Sequence, residues 1–165
     1  MPLTRRGLVQ SGVAAGVLAN PVLARAALTM ADGRPWPSVR VGNANQLEAG
    51  KEVAFNYPDA SSPAWLLKLS APAYAGAGPG SDIVAFSALC THMGCPVALQ
   101  GERFVCPCHK SMFDPGRNGQ IYQGLASDYL PQVVLRVEAS GDIYAEAMSG
   151  LVWGRANNVM AMSKG

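Results

Sequence analysis

The 165-residue sequence lacks most of the features that identify an enzyme or a nucleic-acid-binding protein. It has no nucleotide-binding motif and no nucleophile–base pair at a spacing typical of catalysis. It also has no basic run and no series of aromatic residues on a basic face, which excludes the usual patterns of nucleic-acid binding. Beyond the N-terminal segment, no stretch has sustained helical periodicity. We therefore expect no nucleic-acid partner and no substrate-binding catalytic site within this chain.

Cysteine and histidine are scarce, and their positions carry the main signal. The chain contains four cysteines and two histidines, and all of them lie within residues 90–113. The first group reads Cys-Thr-His-Met-Gly-Cys from Cys90 to Cys95. The second reads Cys-Pro-Cys-His-Lys-Ser-Met-Phe from Cys106 to Phe113. Residues used only for packing would be scattered along the chain, so this confinement predicts one site.

Each group offers one thiolate and one imidazole: Cys90 with His92, and Cys106 with His109. Two thiolates plus two imidazoles suit a tetrahedral zinc ion, or a [2Fe-2S] cluster in which two histidines replace two cysteines on one iron. A Cys-x-His pair is too close for ligands on successive helical turns, so both groups are expected in loops. A zinc-stabilised interaction domain and two structural disulfides remain open alternatives at this point.

The patterns C-T-H-x-G-C and C-P-C-H-x-S resemble those of the Rieske iron–sulfur proteins in both halves. The resemblance implies a [2Fe-2S] cluster held by four side chains, Cys90 and Cys106 on one iron and His92 and His109 on the other. It also implies a disulfide between Cys95 and Cys108, and a Ser111 hydroxyl that donates to a cluster sulfur. By the chain-entropy model, closing a loop of this size stabilises the fold by roughly 3 kcal/mol.

Two positions depart from the pattern of respiratory Rieske proteins. Lys110 stands where a glycine is common, and its charge is a candidate for docking a partner. Phe113 stands where quinol-oxidising members carry a tyrosine, whose hydroxyl donates to a cysteine sulfur and stabilises the reduced cluster. Phenylalanine keeps the ring but lacks the donor. We therefore expect a lower reduction potential than in the quinol-oxidising members.

The N-terminal segment is expected to be an export signal rather than part of the fold. Arg5 and Arg6 precede a short, mildly apolar segment that ends in a small-residue pattern at Ala26, which resembles a twin-arginine signal. A membrane-spanning helix needs about 20 apolar residues, whereas this stretch is shorter and contains polar residues, so membrane anchoring is not favoured. We expect residues 1–26 to be a signal peptide and residues 27–165 to form one periplasmic Rieske domain.

Alternating hydrophobic patterns separated by turn residues predict a mainly β fold. We expect a Rieske-type antiparallel β domain with a small cluster-binding subdomain, whose loops lie at about 88–131. The segment 124–131 resembles the family's proline-containing loop, which packs beside the cluster. Strands or hairpins are expected over residues 39–41, 53–57, 64–69, 83–87, 97–105, 120–124, 133–138, 142–147 and 150–155.

The segments that flank the two groups resemble the small subunit of arsenite oxidase. The matches include the twin-arginine signal, Gly119-Gln120-Ile121, Leu130-Pro131 and residues 150–155. This resemblance implies a large catalytic subunit with a molybdenum–pterin cofactor and a second iron–sulfur cluster, which oxidises arsenite to arsenate. Electrons then leave through the Rieske cluster, by way of His92 and His109, to a cytochrome c or a copper protein. The chain is thus expected to be the electron-transfer subunit of an oxidoreductase.

Two other Rieske classes are alternatives. One is the Rieske subunit of a quinol–cytochrome c reductase, which the missing tyrosine and the weak anchor disfavour. The other is a free-standing carrier for an oxygenase. The export signal and the second pair of cysteines disfavour that class.

Overall fold

The computed structural model describes residues 35–158, so the expected signal peptide, residues 1–26, lies outside the described residues. This part of the chain contains ten strands and two short 3-10 helices, Ala44–Gln46 and Pro115–Arg117. None of the helices within residues 35–158 has the length and apolar character needed to cross a membrane. The strands are β1 (Val39–Asn43), β2 (Glu52–Asn56), β3 (Pro63–Lys68), β4 (Ile83–Ser87), β5 (Ala98–Gln100), β6 (Arg103–Val105), β7 (Met112–Asp114), β8 (Gln120–Gln123), β9 (Gln132–Val137) and β10 (Asp142–Ser149).

The strands form two antiparallel sheets. The larger sheet has six strands in the order β1-β10-β9-β4-β3-β2 and forms the base of the domain. The smaller sheet has four strands in the order β5-β6-β7-β8. One cysteine–histidine group precedes the smaller sheet and the other lies within it. The expected antiparallel β domain with a small subdomain is therefore confirmed.

Strand β4 connects the two parts because both of its faces are buried. Side chains of a strand point alternately to opposite faces. Accordingly, Ile83 and Ala85 pack in the core of the base, whereas Val84 and Phe86 pack in a second core with residues of the small sheet. Each fully buried large side chain contributes about 2 kcal/mol. The chain that leads into Cys90 is thus held on both sides.

Most of the expected strands are present, with bounds shifted by one or two residues, but β7 was not predicted. It pairs with β6 by placing Phe113 opposite Phe104 and Met112 opposite Val105. Its three residues are too few to show a period of two. The cysteine–histidine spacing was the only signal in that segment, and this spacing predicts ligands rather than a strand.

The expected strand over residues 150–155 is wrong. Gly150 and Gly154 have φ values of 105° and 79°, a region that favours glycine and is incompatible with an extended strand. The Asn158 side chain accepts a hydrogen bond from the Val152 N–H at 2.9 Å and donates one to the Gly150 carbonyl at 2.6 Å. These bonds fold the segment back on itself, so it cannot pair with the sheet.

Candidate metal centre

Two loops carry the cysteine–histidine groups. The first loop (residues 90–95) follows β4, and the second loop (residues 106–111) connects β6 with β7. The first is closed by a hydrogen bond from the Cys90 N–H to the Cys95 carbonyl, and the second by one from the Cys106 N–H to the Ser111 carbonyl, both at 2.9 Å. Backbone hydrogen bonds therefore hold each loop in one conformation.

A disulfide between Cys95 and Cys108 joins the two loops. The Cα atoms are 6.6 Å apart and the sulfur–sulfur distance is 2.07 Å. Cys95 is partly buried, whereas Cys108 is exposed. The pairing implied by the sequence resemblance is confirmed. Because this bond crosses from one loop to the other, it holds the two pairs of donor side chains together.

Cys90 and Cys106 are free thiols, and both are buried. Their exposed fractions are 0% and 1%, and the two thiols are hydrogen-bonded to each other. Burial is the main cause that raises the pKa of the Cys90 thiol, and the Cys106 thiol adds to it, whereas hydrogen bonds from the His92 backbone and, to a smaller extent, from Ser111 oppose it. A thiolate at this position needs a nearby positive charge, which a bound metal ion supplies.

The sulfur of Cys106 also lies within 4.8 Å of the sulfurs of Cys95 and Cys108, so these three sulfurs form a compact group. Two of the three are bonded to each other in the disulfide. A metal ion binds thiolates, and a disulfide has none to offer. Cys90 and Cys106 are therefore the free thiols that this site can offer to a metal ion.

The two histidine rings contact each other near the surface. His92 is partly buried and His109 is exposed. Their Nδ1 atoms are 3.2 Å apart and their ring planes make an angle of 81°. Two nitrogens bound to one tetrahedral metal, each at about 2.0–2.1 Å, lie about 3.3 Å apart. The spacing fits both Nδ1 atoms on a single metal ion and leaves both Nε2 atoms out of its coordination.

The Ser111 hydroxyl is buried and has a defined direction. Its oxygen accepts hydrogen bonds from the N–H groups of Leu125 and Ala126 at 3.1 and 3.0 Å. Its own proton is then available to a different acceptor, and the hydroxyl is hydrogen-bonded to the Cys90 thiol. Gly124 lies so close to the Ser111 backbone that a Cβ there would overlap it. The structure thus places Ser111 where it can donate to a sulfur at the site.

Phe113 is fully buried, with 0% of its surface exposed. It belongs to the same core as Cys90 and Cys106. On β7 it pairs with Phe104 of β6 and with Ile121 of β8. The ring therefore packs in the core that contains both free thiols and offers no hydrogen-bond donor to either sulfur.

The segment 124–131 lies against both loops. The Thr91 hydroxyl of the first loop donates to the Asp128 carbonyl at 2.7 Å. The bonds from Leu125 and Ala126 to Ser111 connect the segment to the second loop. This placement matches the position expected for the proline-containing loop.

One residue that contacts the first loop was not predicted. The Trp153 indole nitrogen donates to the His92 carbonyl at 3.2 Å, and its ring covers Gly94 so closely that a Cβ there would overlap it. Trp153 and His92 are 61 residues apart in the chain, so no local spacing could reveal the contact. The only local signal was the pair of glycines, Gly150 and Gly154, which favours a turn.

Lys110 adopts a backbone conformation that lysine rarely adopts. Its φ is 57°, in the left-handed region, and its N–H donates to the Cys106 carbonyl at 3.1 Å. Glycine adopts this conformation without steric cost, which explains why glycine is common at this position in the family. The lysine side chain is exposed, so its charge is available at the surface beside His109.

We expect the Lys110→Gly variant to be more stable than the wild-type protein by about 0.5–1 kcal/mol. A left-handed conformation costs a residue with a side chain about 1–2 kcal/mol, and the greater freedom of glycine in the unfolded chain offsets part of the gain. The free energy of unfolding of the full chain, measured by denaturant titration, tests this. Lys110→Ala is the control, since it removes the charge and keeps the strain. Equal stability of the two variants would contradict the backbone explanation.

The residues present fit a [2Fe-2S] cluster. Two free thiols and two imidazoles provide the four protein ligands that the two irons of such a cluster need. The thiols are buried and the imidazoles lie nearer the surface, so the sulfur and nitrogen donors lie at different depths. A single zinc ion would instead require all four donors around one atom.

Comparison with known proteins agrees with this fit. Residues 38–145 match the family described as the Rieske [2Fe-2S] domain. The chain is 39% identical over 166 residues to iodate reductase subunit IdrB of Denitromonas iodatirespirans, covering 94% of this chain and 86% of that protein. It is 42% identical over 69 residues to a cytochrome bc1 complex Rieske iron-sulfur subunit of Streptomyces lividans, covering 40% of this chain and 39% of that protein.

Solved structures share the fold. The soluble domain of Rieske protein II (soxF) from Sulfolobus acidocaldarius superposes with a TM-score of 0.65 at 23% identity, covering 78% of this chain and 85% of that one. The Rieske protein PetC3 from Synechocystis PCC 6803 gives a TM-score of 0.53 at 30% identity, covering 66% of this chain and 99% of that one. The chain therefore belongs to the Rieske [2Fe-2S] domain family, and its cofactor is a [2Fe-2S] cluster.

Proposed function

We propose that Cys90 and Cys106 bind one iron of the cluster and that His92 and His109 bind the other. The observation that carries this assignment is that like donors contact each other. The two thiols are buried and hydrogen-bonded to each other, whereas the two Nδ1 atoms meet nearer the surface at 3.2 Å. Ser111 supports the sulfur side by donating a hydrogen bond.

The bound cluster supplies one-electron redox chemistry, and the chain's own residues control access to it. The buried thiols keep water from one side, and the histidine rings bring the other side close to the surface. Met93 lies in the first loop, and Leu125 and Trp153 lie on segments that contact the loops; their exposed fractions are 60%, 61% and 41%. We propose that these exposed apolar groups, together with the positive charge of Lys110, form the surface on which a redox partner docks. The chain thus acts as an electron-transfer subunit.

The catalytic partner that we propose is a large molybdenum–pterin subunit that oxidises arsenite to arsenate. The support is the resemblance of the flanking segments to the small subunit of arsenite oxidase. In this assignment the chain passes electrons, one at a time, to a cytochrome c or a copper protein. The twin-arginine pattern at Arg5 and Arg6 supports export to the periplasm, and a mature protein that begins at Ala27 would agree with it.

Iodate reduction is a second candidate, which the relatives favour. The similarity to iodate reductase subunit IdrB extends over 94% of this chain, and a second such subunit, from Pseudomonas sp. (strain SCT), is 37% identical over 91% of it. Electrons would then flow in the opposite direction, from the carrier through this chain to the catalytic subunit. A quinol–cytochrome c reductase has less support, because the Streptomyces lividans relative matches only 40% of the chain.

One experiment separates these partners. The native complex that contains this chain is purified from periplasm and assayed for molybdenum. One sample is mixed with arsenite, and a second is reduced with dithionite and mixed with iodate, while the EPR signal of the reduced cluster is recorded. If arsenite reduces the cluster and the signal appears, arsenite oxidation is supported. If iodate removes the signal from the reduced sample and arsenite has no effect on the other sample, iodate reduction is supported. If neither compound changes the signal, both partner assignments are wrong. The isolated chain is the control and should respond to neither.

We expect Phe113→Tyr to raise the reduction potential of the cluster by on the order of 60 mV. The ring already packs in the core that contains Cys90 and Cys106, so a hydroxyl could donate to a cysteine sulfur and favour the reduced, more negative state. One hydrogen bond to a charged group is worth about 1.5 kcal/mol, which for a one-electron couple corresponds to about 60 mV. Redox titration followed by EPR measures the change.

Phe86→Tyr is the matched control for this prediction. Phe86 is also fully buried in the same core, but it lies on β4 rather than on β7, the strand that directly follows the second loop. Its hydroxyl should lower stability without a comparable rise in potential. A Phe113→Tyr variant with an unchanged potential would refute the account of the missing donor.

A further inference from the structure

Residues 150–158, here called the strap, reach from the end of β10 to the first loop. The indole nitrogen of Trp153 donates to the carbonyl of His92 at 3.2 Å. The ring covers Gly94, which has a φ of 71° and no space for a side chain. The strap thus contacts the loop both at the backbone of a proposed iron ligand and at the turn two residues later.

The strap is anchored on both sides of Trp153. On one side, Val152 is 1% exposed and packs in the core of the base. On the other side, Arg155 forms a two-pronged ion pair with Asp59, and the two side chains are 18% and 11% exposed. The Arg155 guanidinium also donates to the Ser61 hydroxyl at 3.1 Å. A largely buried, bidentate pair of this kind fixes geometry more firmly than a surface ion pair.

We propose that Trp153 is a positioning residue for the redox site, held in place by the Arg155–Asp59 pair. The indole N–H fixes the His92 carbonyl, and the ring shields the first loop at Gly94 from water. This proposal rests on the proposed role of His92 as an iron ligand. It adds a function to residues outside both loops, namely control of the reduction potential through the conformation and hydration of the first loop.

The direction of the effect follows from charge. The reduced cluster carries one more negative charge than the oxidised cluster, and water stabilises the more highly charged state. A shield that excludes water from the first loop therefore lowers the reduction potential. Removal of the ring should raise the potential, whereas loss of the N–H alone should loosen the loop and leave the shield in place.

The test uses the full chain with its cluster and the variants Trp153→Ala, Trp153→Phe and Asp59→Asn. Arg40→Gln is the matched control, because Arg40 forms an ion pair with Asp142 at the β1 edge of the base. Two quantities are measured: the reduction potential by EPR-monitored titration, and amide hydrogen exchange by mass spectrometry. The exchange experiment compares peptides that cover the first loop, the second loop and β4.

We expect Trp153→Ala to raise the potential and to speed exchange in the first loop by about tenfold, with the second loop and β4 unchanged. Trp153→Phe should speed exchange in the first loop and leave the potential near the wild-type value. Asp59→Asn should change both quantities in the same direction as Trp153→Ala but by less. Arg40→Gln should change neither.

Two results would overturn the proposal. One is a wild-type potential and wild-type exchange in the first loop of Trp153→Ala. The other is faster exchange in all three peptides together, which would mean a general loss of stability. If Trp153→Ala fails to fold, the test is the exchange rate of the first-loop peptide in Trp153→Phe and Asp59→Asn. A wild-type rate in both variants would then overturn the proposal. None of these measurements involves a partner, so they remain separate from the arsenite and iodate experiment.

Discussion

Replacing Cys106 with alanine is expected to leave the full chain with less than about a tenth of its normal cluster content. Cys106 is 1% exposed and lies in the same core as Cys90 and Phe113. Removal of its thiolate leaves one iron without a protein ligand in a buried place, where no water can easily substitute. Iron and acid-labile sulfide per chain, together with the EPR signal after reduction, measure the loss.

Cys108→Ala is the matched control, because it removes a cysteine from the same loop two residues away. Cys108 is exposed and bonded to Cys95, so its loss should cost stability and leave the four proposed ligands in place. We expect this variant to retain most of its cluster when it is prepared at low temperature. The opposite outcome, a full cluster in Cys106→Ala and none in Cys108→Ala, would show that the ligand assignment is wrong.

The sequence was informative about this site because its chemistry is local. The two groups are short, and each contains a thiol and an imidazole within four residues, so spacing alone restricts the candidates to a few metal sites. The disulfide followed from the family resemblance and is present between Cys95 and Cys108. The backbone of Lys110 was not predicted, although the glycine common at this position was a sign of its positive φ.

The contacts that sequence reasoning missed join residues that are far apart in the chain. Trp153 donates to the carbonyl of His92 across 61 residues, and Arg155 pairs with Asp59 across 96. Such pairs depend on the order of the strands in the base sheet, in which β9 and β4 lie between β10 and β3, and no local pattern records that order. Strand β7 was missed for a different reason, because three residues within a ligand-bearing segment have no readable period.

Removing the disulfide by the double substitution Cys95→Ala and Cys108→Ala should lower the free energy of unfolding by about 3 kcal/mol and the melting temperature by about 10 °C. The bond closes a loop with a sequence separation of 13. Most of the effect arises in the unfolded chain, which gains conformational freedom when the cross-link is absent. Denaturant titration of the full chain, and thermal melting at one fixed scan rate, measure the two quantities.

Two opposing contributions decide how the cluster responds to this change. The hydrogen bonds that close each loop, from Cys90 to Cys95 and from Cys106 to Ser111, do not depend on the disulfide, so each loop should keep its own conformation. The disulfide is the covalent link between the loops, and without it their separation can fluctuate. We therefore expect cluster binding to survive at low temperature but iron release on warming to be faster in the double variant.

Wild-type protein treated with a thiol reductant should release iron in the same way as the double variant. A different result is a double variant that releases iron no faster than the wild-type protein and whose free energy of unfolding lies within about 0.5 kcal/mol of the wild-type value. The loops are then held together by the cluster and the small sheet rather than by the disulfide.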